Sequence, residues 1–193
     1  MLANLSLKKT VLTVATLNLI YFAYEFSIAR QINSVSLFAD SVDFLEDASV
    51  NVLILLAFGW SIKTRIKLGY LFAGLLLIPG IAVLSVAWEK FQNPVSPESL
   101  TLGLTGFGAL IVNGFCAYLL VRFKKSKESL TKAAYLSARN DALANVAIIF
   151  ASVISLFWAS GWPDLIVGIG ILLLNLDSAK EVLEASRRER ALT

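Results

Sequence analysis

The sequence contains no histidine and only one cysteine, Cys116. Without histidine the chain has no conventional His-based catalytic centre. A single cysteine excludes a framework of internal disulfides, and because Cys116 lies in an apolar run we interpret it as a small packing residue. Glycine-rich phosphate loops, nucleophile elbows and zinc-protease motifs are also missing from the sequence. We therefore expect neither an enzyme nor a prosthetic group.

Charged residues are scarce and unevenly spread. They make up 16% of the 193 residues, while 57% are hydrophobic and the mean hydropathy is +0.73; a soluble domain has about a quarter charged residues. The apolar residues form long runs separated by short charged segments, which is typical of a bilayer-spanning bundle. We predict an all-α integral membrane protein with six transmembrane helices. The predicted spans cover about residues 11–28, 36–60, 68–88, 100–121, 130–159 and 162–176.

Basic residues concentrate in alternate loops, between spans two and three, between spans four and five, and after span six. By the positive-inside rule both termini are cytoplasmic, and a bacterial inner membrane is the expected location. Residues 1–179 are predicted to form one transmembrane domain and residues 180–193 a short basic tail, with no C-terminal cytoplasmic metal-binding domain. The net charge of +3 is small and lies in these loops. We therefore expect membrane lipid, and no nucleic acid, as a partner.

Four acids interrupt the second span, namely Asp40, Asp43, Glu46 and Asp47. One ionised acid at the centre of a membrane helix costs roughly 2.5–3.5 kcal/mol, so four need partners, a water-filled cavity or protons. Asp40, Asp43 and Asp47 share one helix face, and Asp43 and Asp47, one turn apart, can reach a single ion. Glu46 lies about a quarter turn away and is interpreted as structural. Alternatively the acids face water at the membrane surface, although residues 50–60 alone are too short to span.

Polar residues in the other spans supply candidate neighbours. Ser137, Asp141 and Asn145 recur every four positions in the fifth span and can complete an oxygen-rich cage. A structural ion pair between Asp141 and Arg139 or a lysine is the alternative, but Arg139 points off the Asp141 face. In span one, Asn18 and Glu25 either line the same cavity or bond to neighbouring helices. In span six, Pro163-Asp164 is interpreted as a helix start.

Two segments carry a family resemblance. Residues 33–47 resemble the "S-x-S-L-x-A-D-A-x-H/D-x-x-x-D" signature of the cation diffusion facilitator family of metal exporters. Residues 140–145 are similar to the end of that family's fifth-span signature, "H-x-x-x-D-A-L-x-S/N". The resemblance implies that four residues from spans two and five bind the transported ion tetrahedrally. In this sequence those positions are Asp43, Asp47, Ser137 and Asp141.

The resemblance also implies a homodimer, alternating access, and exchange of cytoplasmic metal for external protons. Ser137 stands where the family usually has histidine and is a weak ligand, so Asn140, Asn145 or a water molecule is the alternative source of a fourth oxygen. Asp40 and Glu46 complete the candidate metal ligands. Because this chain is predicted to lack a cytoplasmic domain, the dimer would form through the transmembrane helices.

Metal ions and protons compete for carboxylates, since a bound divalent ion favours the ionised form and protonation releases the ion. We therefore predict a proton-coupled divalent-metal exporter, with the metal as transported substrate. An all-oxygen site suits manganese, magnesium or iron(II), whereas family habit favours zinc, cobalt or cadmium. Two alternatives remain. One is a non-transporting membrane subunit whose acids pair with a partner protein. The other is an intramembrane metalloenzyme, for which the sequence offers no evident base or nucleophile.

Overall fold

The computed structural model describes residues 2–57, 67, 81–121 and 129–174. These residues contain six helical segments and no β-strand, so the predicted all-α class is confirmed. The segments are α1 (Leu2–Ile32), α2 (Val35–Ala57), α3 (81–92), α4 (Ser99–Val121), α5 (Ser129–Phe157) and α6 (Trp162–Leu174).

Three stretches are long and apolar enough to cross a membrane, namely Leu7–Ile32, Ser99–Val121 and Ser137–Phe157. Helix α2 has 23 residues, long enough at about 1.5 Å per residue, but its four acids lower its hydropathy. Residues 58–60, 68–80 and 175–176 of the predicted spans lie outside the described residues. The basic segments 61–66 and 122–128 and the tail 180–193 do too, so the orientation of the termini and the domain division stay predictions.

A very short connection joins α1 to α2. Asn33 adopts a left-handed conformation, with φ of 52°, and the Ser34 amide donates to the carbonyl of Ala29 at 3.0 Å. This arrangement is a Schellman motif, in which asparagine is one of the few residues that tolerate positive φ. The Ser34 hydroxyl then accepts from the Leu37 amide at 3.2 Å and caps the start of α2. The chain consequently reverses within two residues, and α1 and α2 form an antiparallel hairpin.

Aromatic contacts fix how the two helices of this hairpin align. The rings of Phe26 and Phe38 have centroids 4.8 Å apart, and so do those of Tyr21 and Phe44. Tyr21 also donates from its hydroxyl to the Thr105 carbonyl of α4 at 2.6 Å. Aromatic pairs at this separation add to the stabilisation that burial gives, so the register between α1 and α2 is well specified.

Two buried apolar clusters lie at opposite ends of the bundle. The first, near the α1–α2 connection, includes Leu37, Leu102, Ile148 and Leu165. The second, near the other end, includes Val11, Ile54, Cys116 and Leu120. Between them the interior of the bundle is polar.

Outside this interior, large apolar side chains of α4 are exposed, as expected where lipid replaces water. They are Leu100, Leu104, Phe107, Ile111, Phe115 and Tyr118. The protein is a multi-pass integral membrane protein.

The start of α6 supports the start of α2. Asp164 is fully buried and accepts hydrogen bonds from the Ser34 hydroxyl at 2.7 Å and the Val35 amide at 2.8 Å. It accepts two more from the Ser36 hydroxyl at 2.6 Å and the Ser36 amide at 3.1 Å. The ammonium of Lys90, on α3, lies 3.6 Å from the same carboxylate. Helix α6 does begin beside Pro163, but the side chain of Asp164 caps α2 and joins three helices.

Candidate functional site

The acids of α2 face the interior of the bundle. Asp40 is fully buried, and Asp43 and Asp47 are 7% and 5% exposed. Glu46 is only half-buried, as expected from its position off their shared face. The structure thus places the three aspartates inside the protein and not in water at a helix end.

The Asp47 cluster, defined as Asn18, Asp47, Ser137 and Asp141, joins three helices. The Ser137 hydroxyl of α5 donates to Asp47 Oδ1 of α2 at 2.9 Å. The same hydroxyl lies 3.5 Å from Asp141 Oδ2. From α1, Asn18 Nδ2 donates to the other oxygen of Asp47 at 3.4 Å. Carboxyl groups of α2 and α5 therefore meet on one serine hydroxyl in the middle of the bundle.

Asp43 lies one turn along α2 from this cluster. Its Oδ1 is buried and accepts no hydrogen bond from the described residues. Asp141 and Asp40 both act on it electrostatically. Within the described part of the chain, no three histidine, cysteine, aspartate or glutamate side chains are close enough to share one metal ion. In this conformation the acids are arranged along a polar path and are not closed around one point.

The remaining candidate ligands lie elsewhere. Asn145 Nδ2 donates to Asp40 Oδ2 at 2.6 Å, one turn beyond Asp141, and so serves a different carboxylate. Asn140 is exposed, and its Oδ1 accepts from Arg139 Nη2 at 3.3 Å. Arg139 is exposed as well. The only ion pair among the described residues joins Lys90 and Asp164, so no partner cation is seen beside Asp141.

Some residues at the site were not identified from the sequence. Asn113 of α4 donates from Nδ2 to Asn145 Oδ1 at 3.0 Å and thus supports Asn145. Cys116 packs in an apolar cluster, but its thiol also lies 3.5 Å from Asn18 Oδ1. The signal for Asn113 was present, because a buried amide in a membrane span needs a partner. Both alternatives for Asn18 hold, because its side chain lies at the candidate site and also bonds to a neighbouring helix.

The electrostatic character of this interior is one-sided. Glu25, Asp40, Asp43 and Asp47 are buried acids and Asp141 is a partly buried one, and no basic side chain among the described residues pairs with any of them. Buried acids without a positive partner are unfavourable in a low-dielectric interior. The arrangement is suited to receiving positive charge, as metal ions or as protons.

Comparison with known proteins agrees with this chemistry. The sequence model of the cation efflux transmembrane domain matches residues 11–189. Proteins of Bacillus subtilis and Bacillus velezensis, both named cadmium, cobalt and zinc/H(+)-K(+) antiporter, are each 26% identical to this chain over 169 residues. The alignments cover 80% of this chain but 54% and 53% of those relatives, so the chain spans about half their length. The family match takes in both signature segments, and the chain belongs to the cation efflux family, the cation diffusion facilitators.

Proposed function

We propose that this chain is the membrane domain of a divalent-metal exporter that exchanges cytoplasmic metal for external protons in a bacterial plasma membrane. The supporting observation is the contact of the partly buried Ser137 with both Asp47 and Asp141, in a part of the bundle where no described cation pairs with the acids. It is a carrier and not an enzyme, because binding and release of the ion are all that the activity needs.

The transported metal is held by Asp43, Asp47 and Asp141, with Ser137 as a weak fourth ligand or as a donor that orients the two carboxylates. A divalent ion favours the ionised form of these acids, and protons arriving from outside favour the neutral form. Each therefore displaces the other. Because the acids are spread along a path, holding one ion requires their side chains to turn towards a common point.

The substrate is a divalent transition metal of the kind named for the relatives, which are described as acting on cadmium, cobalt and zinc. Oxygen donors alone bind these ions less selectively than sites with nitrogen or sulfur, so the specificity is broad and extends towards manganese and iron(II). The relatives' names include potassium, but proton exchange alone accounts for the carboxylates of this site.

Alternating access uses the two apolar clusters at the ends of the polar interior. Each cluster closes one end of the path, and transport requires them to open in turn. A homodimer formed through the transmembrane helices completes the proposal.

The decisive experiment is metal-driven proton flux in proteoliposomes with purified protein. Asp47→Asn and Asp141→Asn each remove a ligand charge while keeping side-chain size, and we expect flux to fall by about 100-fold or more. Glu89→Gln is the matched control, because Glu89 is an exposed acid remote from the interior. Undiminished flux in both aspartate variants would show that the site is wrong. If calorimetry found no binding of zinc, cadmium or cobalt, the alternative of a non-transporting subunit would be favoured.

A further inference from the structure

A second polar cluster lies beside the Asp47 cluster, two helical turns further along the same helices. Along the antiparallel pair α1–α2, Asn18 contacts Asp47, and Glu25 holds the corresponding position beside Asp40, whose charge acts on it. Seven residues separate the two positions on each helix, so the two contacts lie two turns, or about 10 Å, apart. The Glu25 cluster, defined as Glu25, Asp40, Asn113 and Asn145, is the one nearer the α1–α2 connection.

Four different helices build this cluster, and all of its members are almost fully buried. Glu25, Asp40 and Asn145 are 0% exposed and Asn113 is 2% exposed. Asn113 donates to Asn145 at 3.0 Å, and Asn145 donates to Asp40 at 2.6 Å. This chain of amides fixes one oxygen of Asp40. The other oxygen, Oδ1, is buried and has no donor among the described residues.

Three carboxylate oxygens in the cluster have no hydrogen-bond donor among the described residues. They are Glu25 Oε1, Glu25 Oε2 and Asp40 Oδ1, all of them buried. An unpaired carboxylate in a low-dielectric interior is costly, and a second carboxylate beside it adds repulsion. Glu25 is therefore a buried acid that has no donor among the described residues and has a second buried acid, Asp40, as its electrostatic neighbour.

We propose that the Glu25 cluster is a second divalent-cation site, on the route of the ion that the proposed function transports. Two carboxylates neutralise one doubly charged ion, whereas a single proton or alkali ion would leave one negative charge in the interior. Asn145 already donates to Asp40 and accepts from Asn113, so its amide holds Asp40 in place and water supplies the other ligands. Such an all-oxygen set is common for divalent ions. By the positive-inside prediction the cluster lies on the external side of Asp47, where it receives the ion before release.

The test measures binding at this site after the first site has been removed. In lipid nanodiscs, equilibrium dialysis with radioactive Cd²⁺ should find that the Asp47→Asn/Asp141→Asn protein still binds one ion per chain. Adding Glu25→Gln to that protein should abolish the remaining binding, and adding Glu89→Gln should not. Glutamine keeps the size of glutamate, and size-exclusion chromatography and circular dichroism establish that each variant is folded. If the triple variant does not fold, Asp40→Asn replaces Glu25→Gln.

Three results would overturn the second site. The first is that the Asp47→Asn/Asp141→Asn protein binds no Cd²⁺, and the second is that its binding survives Glu25→Gln and Asp40→Asn. The third is that Glu25→Gln changes only the pH dependence of transport, which would mean that the pair carries a proton. In each case the proposed function would still stand if the wild-type protein binds Cd²⁺ and the Asp47→Asn variant loses transport. Wild-type protein that binds no Cd²⁺ would end both proposals.

Discussion

Asp164 and Asp40 are both fully buried aspartates, but their surroundings differ completely. Asp164 accepts four hydrogen bonds at the start of α2 and faces the ammonium of Lys90. Asp40 accepts one hydrogen bond from Asn145, and its other oxygen is without a donor. Other groups of the protein thus hydrogen-bond and neutralise Asp164, whereas Asp40 lacks such a set of partners among the described residues. The comparison separates acids that hold the structure from acids that the proposed function assigns to the ion.

The largest expected effect concerns the satisfied acid. Asp164→Ala leaves Lys90 buried without its partner and removes the cap of α2, and loss of one member of a buried ion pair costs about 3–5 kcal/mol. Asp43→Asn should leave the stability of metal-free protein unchanged or increase it, because Asp43 Oδ1 has no donor to lose. Chemical unfolding in detergent, followed by circular dichroism, measures both. Equal destabilisation by the two substitutions would remove the distinction.

A smaller effect is expected from the metal itself. At a Cd²⁺ concentration of 100 times its dissociation constant, a site that binds only the folded protein adds about 2.7 kcal/mol of stability. Wild-type protein should therefore unfold at higher temperature when Cd²⁺ is added. Asn18→Ala removes a donor to Asp47 and should weaken this binding about tenfold, as for other residues that orient ligands. Asn51→Ala is a useful control, since Asn51 donates only to the Asp47 main-chain carbonyl, at 2.8 Å. Identical Cd²⁺ affinity in the Asn18 variant would show that Asn18 does not orient Asp47.

The smallest effect concerns an exposed acid that accepts hydrogen bonds from the start of a helix. The Thr101 side chain, the Thr101 amide at 2.7 Å and the Leu100 amide at 3.0 Å donate to Glu98, and these bonds at the start of α4 lower the pKa of Glu98 below its ordinary value. A lowered pKa in the folded protein means that Glu98 contributes stability above its unfolded value, and that this stability is lost as pH falls through the folded value. Glu98→Gln should therefore reduce the loss of stability in acid. An unchanged acid profile would show that the cap is unimportant.

The sequence was sufficient to predict the class of fold, the approximate positions of the helices among the described residues and the burial of the three α2 aspartates. Hydropathy and a cluster of acids at membrane depth carry that information without knowledge of packing. The family assignment is also confirmed, because the signature around Asp40 and Asp47 is local in sequence. These features need only the periodicity of one helix.

Contacts between helices were harder to predict. The periodicity of α5 placed Asp141 and Asn145 on one stripe. In the structure Asp141 belongs to the Asp47 cluster, whereas Asn145 donates to the carboxylate of Asp40. Pro163-Asp164 did mark a helix start, yet Asp164 caps another helix. The register between α1 and α2 depends on the turn at Asn33 and on aromatic ring packing between the helices. Neither can be predicted from the residue pattern of a single helix.

The two-residue reversal at Asn33 limits how this protein can move. A link of that length contains no slack, so α1 and α2 cannot slide past one another by a helical turn. Whatever motion carries Asp47 must also carry Asn18, and whatever carries Asp40 must carry Glu25. In the proposed alternating access the first two helices would therefore move as one rigid unit, and the displacement that exposes the acids would take place between this helix pair and the helices packed against it.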